Sequence, residues 1–164
     1  MSNPTPRLLL VDSREQWTQP KRREDNHIKS YLERHGVPYK VLRLDVGDYT
    51  FEGSNIVVDR KMGLLEVARN LTNKSDSSRF WREVRRAYKS GLKLVILVES
   101  GPSVLSINDV PNWSSEYTKV TGRAIQREML RLELAYGVRW QFCSKRSTAK
   151  RIIEILTEGS QLKI

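Results

Sequence analysis

One cysteine and two histidines in 164 residues leave little room for several common chemistries. Cys143 has no partner for an internal disulfide, and with Trp140 and Phe142 nearby it reads as a small core residue rather than a nucleophile. His27 and His35 have no cysteine or histidine at zinc-ligand spacing, so no structural zinc site is expected. No apolar run approaches the roughly 20 residues that span a bilayer. The opening Met-Ser-Asn-Pro-Thr-Pro lacks the charged and apolar regions of a signal peptide, and the expectation is an intracellular protein. A glycine-rich loop followed by Lys-Ser or Lys-Thr is also missing, which argues against a nucleotide triphosphatase. Acidic residues are scarce too. Against 29 Lys and Arg there are 19 Asp and Glu, and a formal charge of +10 points to a polyanionic partner, nucleic acid or an anionic membrane surface. The length suits one domain over 1–164 that buries roughly 68–70% of its unfolded surface.

What is present reads as alternating strands and helices. An apolar run over 7–12 predicts a strand buried on both faces. Ile28, Tyr31, Leu32 and His35 recur at helical spacing before Gly36, with His35 on the apolar side. A second strand is expected over 39–44, helices over 62–71 and 78–90, and an apolar strand over 92–99. Residues 100–122, rich in Ser, Gly, Pro and Asn, read as an irregular surface loop. A helix over 125–136, a strand over 138–143 and a helix over 147–157 complete the order βαβββααβαβα. This is an α/β domain with a mixed central sheet flanked by helices.

The third and fourth strands form a hairpin over 47–61. With Gly53-Ser54 as its turn, Tyr49 pairs with Val58 and Asp48 with Asp59. Alternation then puts Tyr49, Phe51, Ile56 and Val58 on an apolar face, and Asp48, Thr50, Glu52, Asn55, Val57, Asp59 and Lys61 on a polar one. Opposed residues have Cβ atoms roughly 4.5–5.5 Å apart, and like charges so placed repel unless a cation sits between them. Asp48 and Asp59 are therefore candidate ligands for Mg²⁺, with Mn²⁺ as a substitute, because a hard cation prefers carboxylate oxygen. Lys61, one pleat beyond Asp59, is placed to hold or deprotonate a water or to stabilise charge on a phosphate. The bland reading of this pattern is solvated charge on a hairpin face.

Val11-Asp12-Ser13-Arg14-Glu15, Val46-Gly47-Asp48-Tyr49 and Val58-Asp59-Arg60-Lys61 resemble, in order and spacing, the VDxRE, GDY and ERK motifs of the XPF-type structure-specific endonucleases. Arg79-Phe80 is similar to the RF that follows the catalytic strand there, and the likeness runs loosely through 94–99 to the last strand and helix. The resemblance implies a PD-(D/E)xK, restriction-endonuclease-like nuclease fold, Mg²⁺ or Mn²⁺ dependence, and cleavage of branched DNA such as flaps, forks or Holliday junctions. It also implies homodimerisation through the C-terminal strand and helix. By the same carry-over Asp48 and Asp59 are metal ligands, Lys61 is the catalytic lysine, Asp12 and Glu15 lie near the metal centre, and Arg14 lies near the phosphate. Two departures stand out: Asp59 replaces a glutamate, and the acid expected four residues after Lys61 is Leu65, with Glu66 adjacent.

On a helical wheel of 79–89, Phe80, Val84, Ala87 and Tyr88 share one arc, and Arg79, Arg82, Arg85, Arg86 and Lys89 the opposite one, with Glu83 the only acid nearby. Such a face fits a phosphate backbone, against the ordinary alternative of a solvated surface. Arg14, Arg60, Arg79, Arg82, Arg86 and Lys89 are thus the candidate nucleic-acid contacts, and Lys21, Arg22 and Arg23 sit on a loop with the same potential. Trp17 and Trp113 read as indoles packed over loops rather than base-stacking platforms, and Trp81 borders the arginine face as a wedge or shield. Ala149, Ile152, Ile153, Leu156, Ile155 and Ile164 give the last helix more apolar surface than one helix needs, in keeping with a dimer contact. The competing readings are a catalytically inactive nucleic-acid-binding module on the same fold, and a restriction-type or repair nuclease.

Overall fold

The computed structural model describes residues 7–19, 27–72 and 74–161, with side chains of 74–77 and 159–161 outside the description. Its order is β1 (Leu9–Asp12), α1 (His27–Arg34), β2 (Tyr39–Leu42), β3 (Tyr49–Phe51), β4 (Ile56–Lys61), α2 (Leu64–Thr72), α3 (Lys74–Lys89), β5 (Lys93–Glu99), α4 (Gly122–Tyr136), β6 (Arg139–Cys143) and α5 (Thr148–Gln161). This is the order of strands and helices that the periodicities predict. The six strands lie side by side as β2-β1-β3-β4-β5-β6. β3 is antiparallel to both neighbours, and the other pairings are parallel. The sheet is therefore mixed, with the hairpin as its antiparallel part.

Both faces of the sheet are covered. On one, Val57, Leu94, Ile96 and Val98 pack against Leu64 and Val67 of α2, Phe80 and Val84 of α3, and Ile125 and Met129 of α4. On the other, Leu9, Val11, Tyr49, Val58, Val95 and Leu97 pack against Ile28 and Leu32 of α1 and Ile152 and Leu156 of α5. The polar hairpin face expected from alternation is thus no solvent face. Val57, the one apolar residue on it, is buried at 3% exposure under α2 and α3.

Several local expectations change. Residues 100–122 carry a 3-10 turn over Ile107–Asn112, and Val104 and Val110 are buried in the core. The turn lies directly on the start of α4: a Cβ on Gly122 would stand 2.2 Å from the Val110 carbonyl oxygen, so only glycine fits there. The Thr121 hydroxyl caps α4 by accepting the Ala124 N–H at 3.2 Å. Much of the apolar surface of α5 packs on the sheet and α1, with Ala149, Ile152, Ile155 and Leu156 buried and Ile153 partly buried beside them. Ile164 and the 21–23 basic cluster lie outside the described residues. His35 is exposed against the Tyr31 ring, because α1 stops at Arg34 and turns it outward. Cys143 is buried, and Trp17 and Trp113 pack as expected.

Candidate active-site cleft

Because β3 runs against both β1 and β4, it begins where those two strands end. That edge gathers the Gly47-Asp48 corner, the 12–15 turn after β1 and the last three residues of β4. Together with Glu66 of α2 and Arg79 and Glu83 of α3 they line an open cleft of about 340 Å³. Asp12, Arg14, Glu15, Asp48, Asp59, Arg60 and Lys61 all reach it, so the motif residues singled out in the sequence converge.

The hairpin pairs Tyr49 with Val58, the expected register. Beyond that pair the ladder breaks. Asp48 donates its N–H to the Val58 carbonyl at 2.8 Å, and Gly47 turns at φ +71° with Val57 beneath it, so the strand is bulged there. A Cβ at Gly47 would fall 2.1 Å from Val57 Cγ1, which makes glycine obligatory at this corner. The bulge re-aims Asp48. Its Oδ2 accepts the Arg60 N–H at 2.7 Å, and its carbonyl accepts the Asp12 N–H at 2.8 Å. Burial pushes the Asp48 carboxyl well above its ordinary range, and the neighbouring charge of Asp59 adds to the push.

Asp59 is 5% exposed, and its Oδ2 is sealed from solvent without a hydrogen bond. Lys61 Nζ stands 3.3 Å from that oxygen as an ion pair and also lies over the Phe80 ring at 5.5 Å. Burial works against the Lys61 ammonium, but Asp59, Glu66, Asp48 and Glu83 outweigh it and raise its pKa. Lys61 is a cation in this site.

Alternation sends Arg60 toward the α1 and α5 side of the sheet, where it and Glu15 still border the cleft. Its Nε donates to Glu15 Oε2 at 3.1 Å and its Nη1 to Glu99 Oε1 at 2.6 Å, with 10% of the side chain exposed. The Tyr49 hydroxyl donates to the same Glu15 oxygen and accepts the Trp17 Nε1–H at 2.7 Å. Burial raises the Glu15 carboxyl, opposed chiefly by Arg60. Arg60 and Glu15 are therefore locked to each other at the back of the site.

Asp12 is also fully engaged: Oδ2 accepts from Arg14 Nε at 2.8 Å and Oδ1 from the Leu44 N–H at 2.9 Å. The Arg14 side chain, 58% exposed, closes the ring by donating to the Leu44 carbonyl at 2.9 Å. This pair ties the 43–48 segment to the end of β1.

The helix that carries the arginines does two jobs. Phe80, Val84 and Ala87 are buried as expected, whereas Tyr88 is exposed and meets Tyr136 edge-on at 5.4 Å. Trp81 packs edge-on against Tyr136 at 5.7 Å with Arg85 over its ring, and so shields the helix flank. Arg79 lines the cleft, and Arg82 and Lys89 are exposed. Arg86 is exposed too but donates to the Asp45 carbonyl at 2.7 Å. One turn away, Glu83 Oε1 accepts the Gly47 N–H at 2.6 Å. Burial, then the charge of Asp59, raises the Glu83 carboxyl.

Glu66, Glu83 and Glu99 are the site acids that sequence reasoning passed over. Glu83 falls three residues after buried Phe80, a spacing that turns it inward. Glu66 sits in the first turn of α2, where it accepts the Met62 N–H at 2.8 Å and faces Lys61, so a carboxylate does follow the lysine although Leu65 is apolar.

The donor set suits a hard cation: carboxylate oxygen from Asp48 and Asp59, one of them unbonded, with no sulfur or imidazole in the cleft. Among the described residues no group of three or more acidic, histidine or cysteine side chains is placed to hold an ion. The fit is to an ion that uses two carboxylates and keeps several waters, as Mg²⁺ does.

A family model for the ERCC4 domain matches residues 11–156. Among solved structures, XPF from Aeropyrum pernix superposes with a TM-score of 0.67 at 24% identity, covering 94% of this chain and 65% of that one. The complex of Aeropyrum pernix XPF with DNA gives a TM-score of 0.65 at 24% identity, covering 96% and 67%. At this identity the likeness carries the fold, which is the restriction-endonuclease-like α/β one, and the chain spans about two thirds of those proteins. No curated protein matches.

Proposed function

We propose, from the premise that this chain belongs to the ERCC4 domain family, that it is a metal-dependent endonuclease that cuts branched DNA at the cleft between β3, β4 and α3. The supporting observation is the convergence of Asp48, Asp59 and Lys61, with a buried Asp59 oxygen left unbonded beside the cation. Asp48 and Asp59 would hold Mg²⁺ or Mn²⁺. When bound, that ion supplies a Lewis acid that activates water and neutralises the leaving oxygen. Lys61, kept protonated by four acids, donates to a phosphate oxygen and stabilises the charge that builds there. Arg14 and Arg79 border the cleft and, with Arg82 and Lys89, offer a basic track for the phosphate backbone. Glu15, Asp12 and Arg60, at the edge of the cleft, act by fixing the strand ends. XPF from Aeropyrum pernix has been seen with DNA, and the +10 charge of this chain suits the same class of ligand.

The finer reading is a homodimer acting on flaps, forks or Holliday junctions inside the cell. Support for the dimer comes from β6, an edge strand with one side unpaired within the sheet. Among the described residues no helix is long and apolar enough to cross a membrane. The test offers flap, splayed-arm, four-way and linear duplex DNA to the protein and to Asp59→Asn, each in Mg²⁺ and in EDTA. Cutting of branched substrates that needs metal and disappears in Asp59→Asn supports the reading. Tight binding of branched DNA with no cutting in Mg²⁺ or Mn²⁺ replaces it with the binding module.

A further inference from the structure

Beside the catalytic cleft lies a second one of about 360 Å³ between α2 and α3. The two share Lys61, Glu66, Arg79 and Glu83, so they form one continuous groove. The second cleft adds Arg69 and Asn70 of α2, one exposed and one half-buried, and Phe80 of α3. Asn70 Oδ1 is sealed from solvent with no hydrogen-bond partner. Among the described residues only three buried side-chain atoms are so stranded, and two of them, on Asp59 and Asn70, belong to residues that line this groove.

We propose that the cleft between α2 and α3 seats the nucleotide that adjoins the scissile phosphate, an inference that rests on the endonuclease reading above. Three cations, Lys61, Arg69 and Arg79, suit the phosphates on either side of it. Glu66, Glu83 and the Asn70 amide suit its base, because carboxylates accept from exocyclic amino groups and an amide N–H donates to ring acceptors. The mixed charge of the walls separates this ligand from a bare phosphate, which Glu66 and Glu83 would repel. The volume lies within the range of small-ligand pockets, roughly 300–1,000 Å³. A base reaches such a cleft only when it is unpaired, which is the condition of nucleotides at a branch.

The experiment uses the whole chain and three-way-branched DNA with a single 2-aminopurine stepped along the strand through the branch point, in EDTA so that nothing is cut. The expected result is an emission change confined to one or two adjacent positions, lost in Asn70→Leu and in Asn70→Ser while circular dichroism and Tm stay as in the parent. Arg69→Ala weakens binding several-fold at every position. A signal spread evenly over all positions, or one that survives both Asn70 variants, overturns the proposal. Should the positional signal appear while no substrate is cut in Mg²⁺ or Mn²⁺, the nucleotide site stands and the endonuclease reading falls.

Discussion

Arg60 was a candidate DNA contact by sequence and is a buried clasp by structure, and the two assignments predict opposite outcomes for Arg60→Ala. The guanidinium joins Glu15 and Glu99, at 3.1 and 2.6 Å, and neither carboxylate side chain is more than 10% exposed. Removing one partner of a buried pair strands the other, at a cost of about 3–5 kcal/mol. In a domain of this size each kcal/mol shifts Tm by roughly 2–4 °C, so the variant should melt about 6–20 °C lower. The loss depends on pH. Burial already raises the Glu15 carboxyl, and Arg60 is the largest influence holding it down. Without Arg60 the folded-state pKa climbs further above the unfolded value. Between those two values the native state binds more protons than the unfolded chain, so stability falls as pH rises through the window. The deficit should therefore be larger at pH 8 than at pH 5, read by urea melts in EDTA at both. A change within about 0.5 kcal/mol, the surface-residue range, together with a large loss of DNA affinity would refute the clasp.

The same linkage acts at the proposed metal site: burial and Asp59 raise the Asp48 carboxyl, so the metal-free protein should lose stability as pH climbs above the ordinary carboxylate range, and Mn²⁺ at 100 times its Kd should restore about 2.7 kcal/mol at pH 8. Differential scanning fluorimetry checks this, and an Asp48→Asn protein that keeps both responses would contradict it. Gly47→Ala forces a Cβ onto Val57 Cγ1 at a left-handed φ; a cost of about 1–3 kcal/mol and loss of cutting at temperatures where the variant is still folded are expected. Glu83→Gln keeps an acceptor for the Gly47 N–H whereas Glu83→Ala leaves it unpaired, so Gln should cut within a few-fold of the parent and Ala about tenfold more slowly, a difference of about 1.4 kcal/mol. Equal loss in both would assign the effect to the charge of Glu83 instead of its hydrogen bond.

The Tyr49–Val58 pair and the apolar face of Tyr49, Phe51, Ile56 and Val58 were legible because strict alternation keeps those residues together, but the turn was not: the Ser54 N–H donates to the Phe51 carbonyl at 2.9 Å, so Glu52 and Gly53 form it in place of Gly53-Ser54. What alternation cannot say is what covers the other face. Val57 was the hint, an apolar residue among polar ones, and it marks where α3 crosses. The bulge at Gly47 was not legible, since the contact that demands glycine comes from the partner strand. The buried network escaped for a similar reason. Glu15, Tyr49, Arg60 and Glu99 lie on four different segments, and only the sheet order β1-β3-β4-β5 brings their ends together. The Ser, Pro and Gly content of 100–122 predicts a surface loop, but Val104 and Val110 are buried and anchor it.

β4 shows why the two sides of the site differ so much in charge balance. Asp59 and Lys61 point to one face and Arg60, between them, to the other, as a period of two requires. On the rear face the ionic groups close on one another: one guanidinium, two glutamates, a tyrosine and an indole, each with a partner. On the cleft face Asp48, Asp59, Glu66 and Glu83 surround Lys61, and one Asp59 oxygen has the Lys61 ion pair but no hydrogen bond. Buried acids in excess oppose folding, so a chain under selection for stability alone would exchange one of them for an amide or an apolar group. The rear clasp makes the excess tolerable, because it pins the strand ends from the side where nothing needs to move. On the proposed endonuclease reading the open face receives metal and phosphate while the closed face holds the strand ends, and the two faces should fail differently when mutated: the rear in stability, the cleft in chemistry.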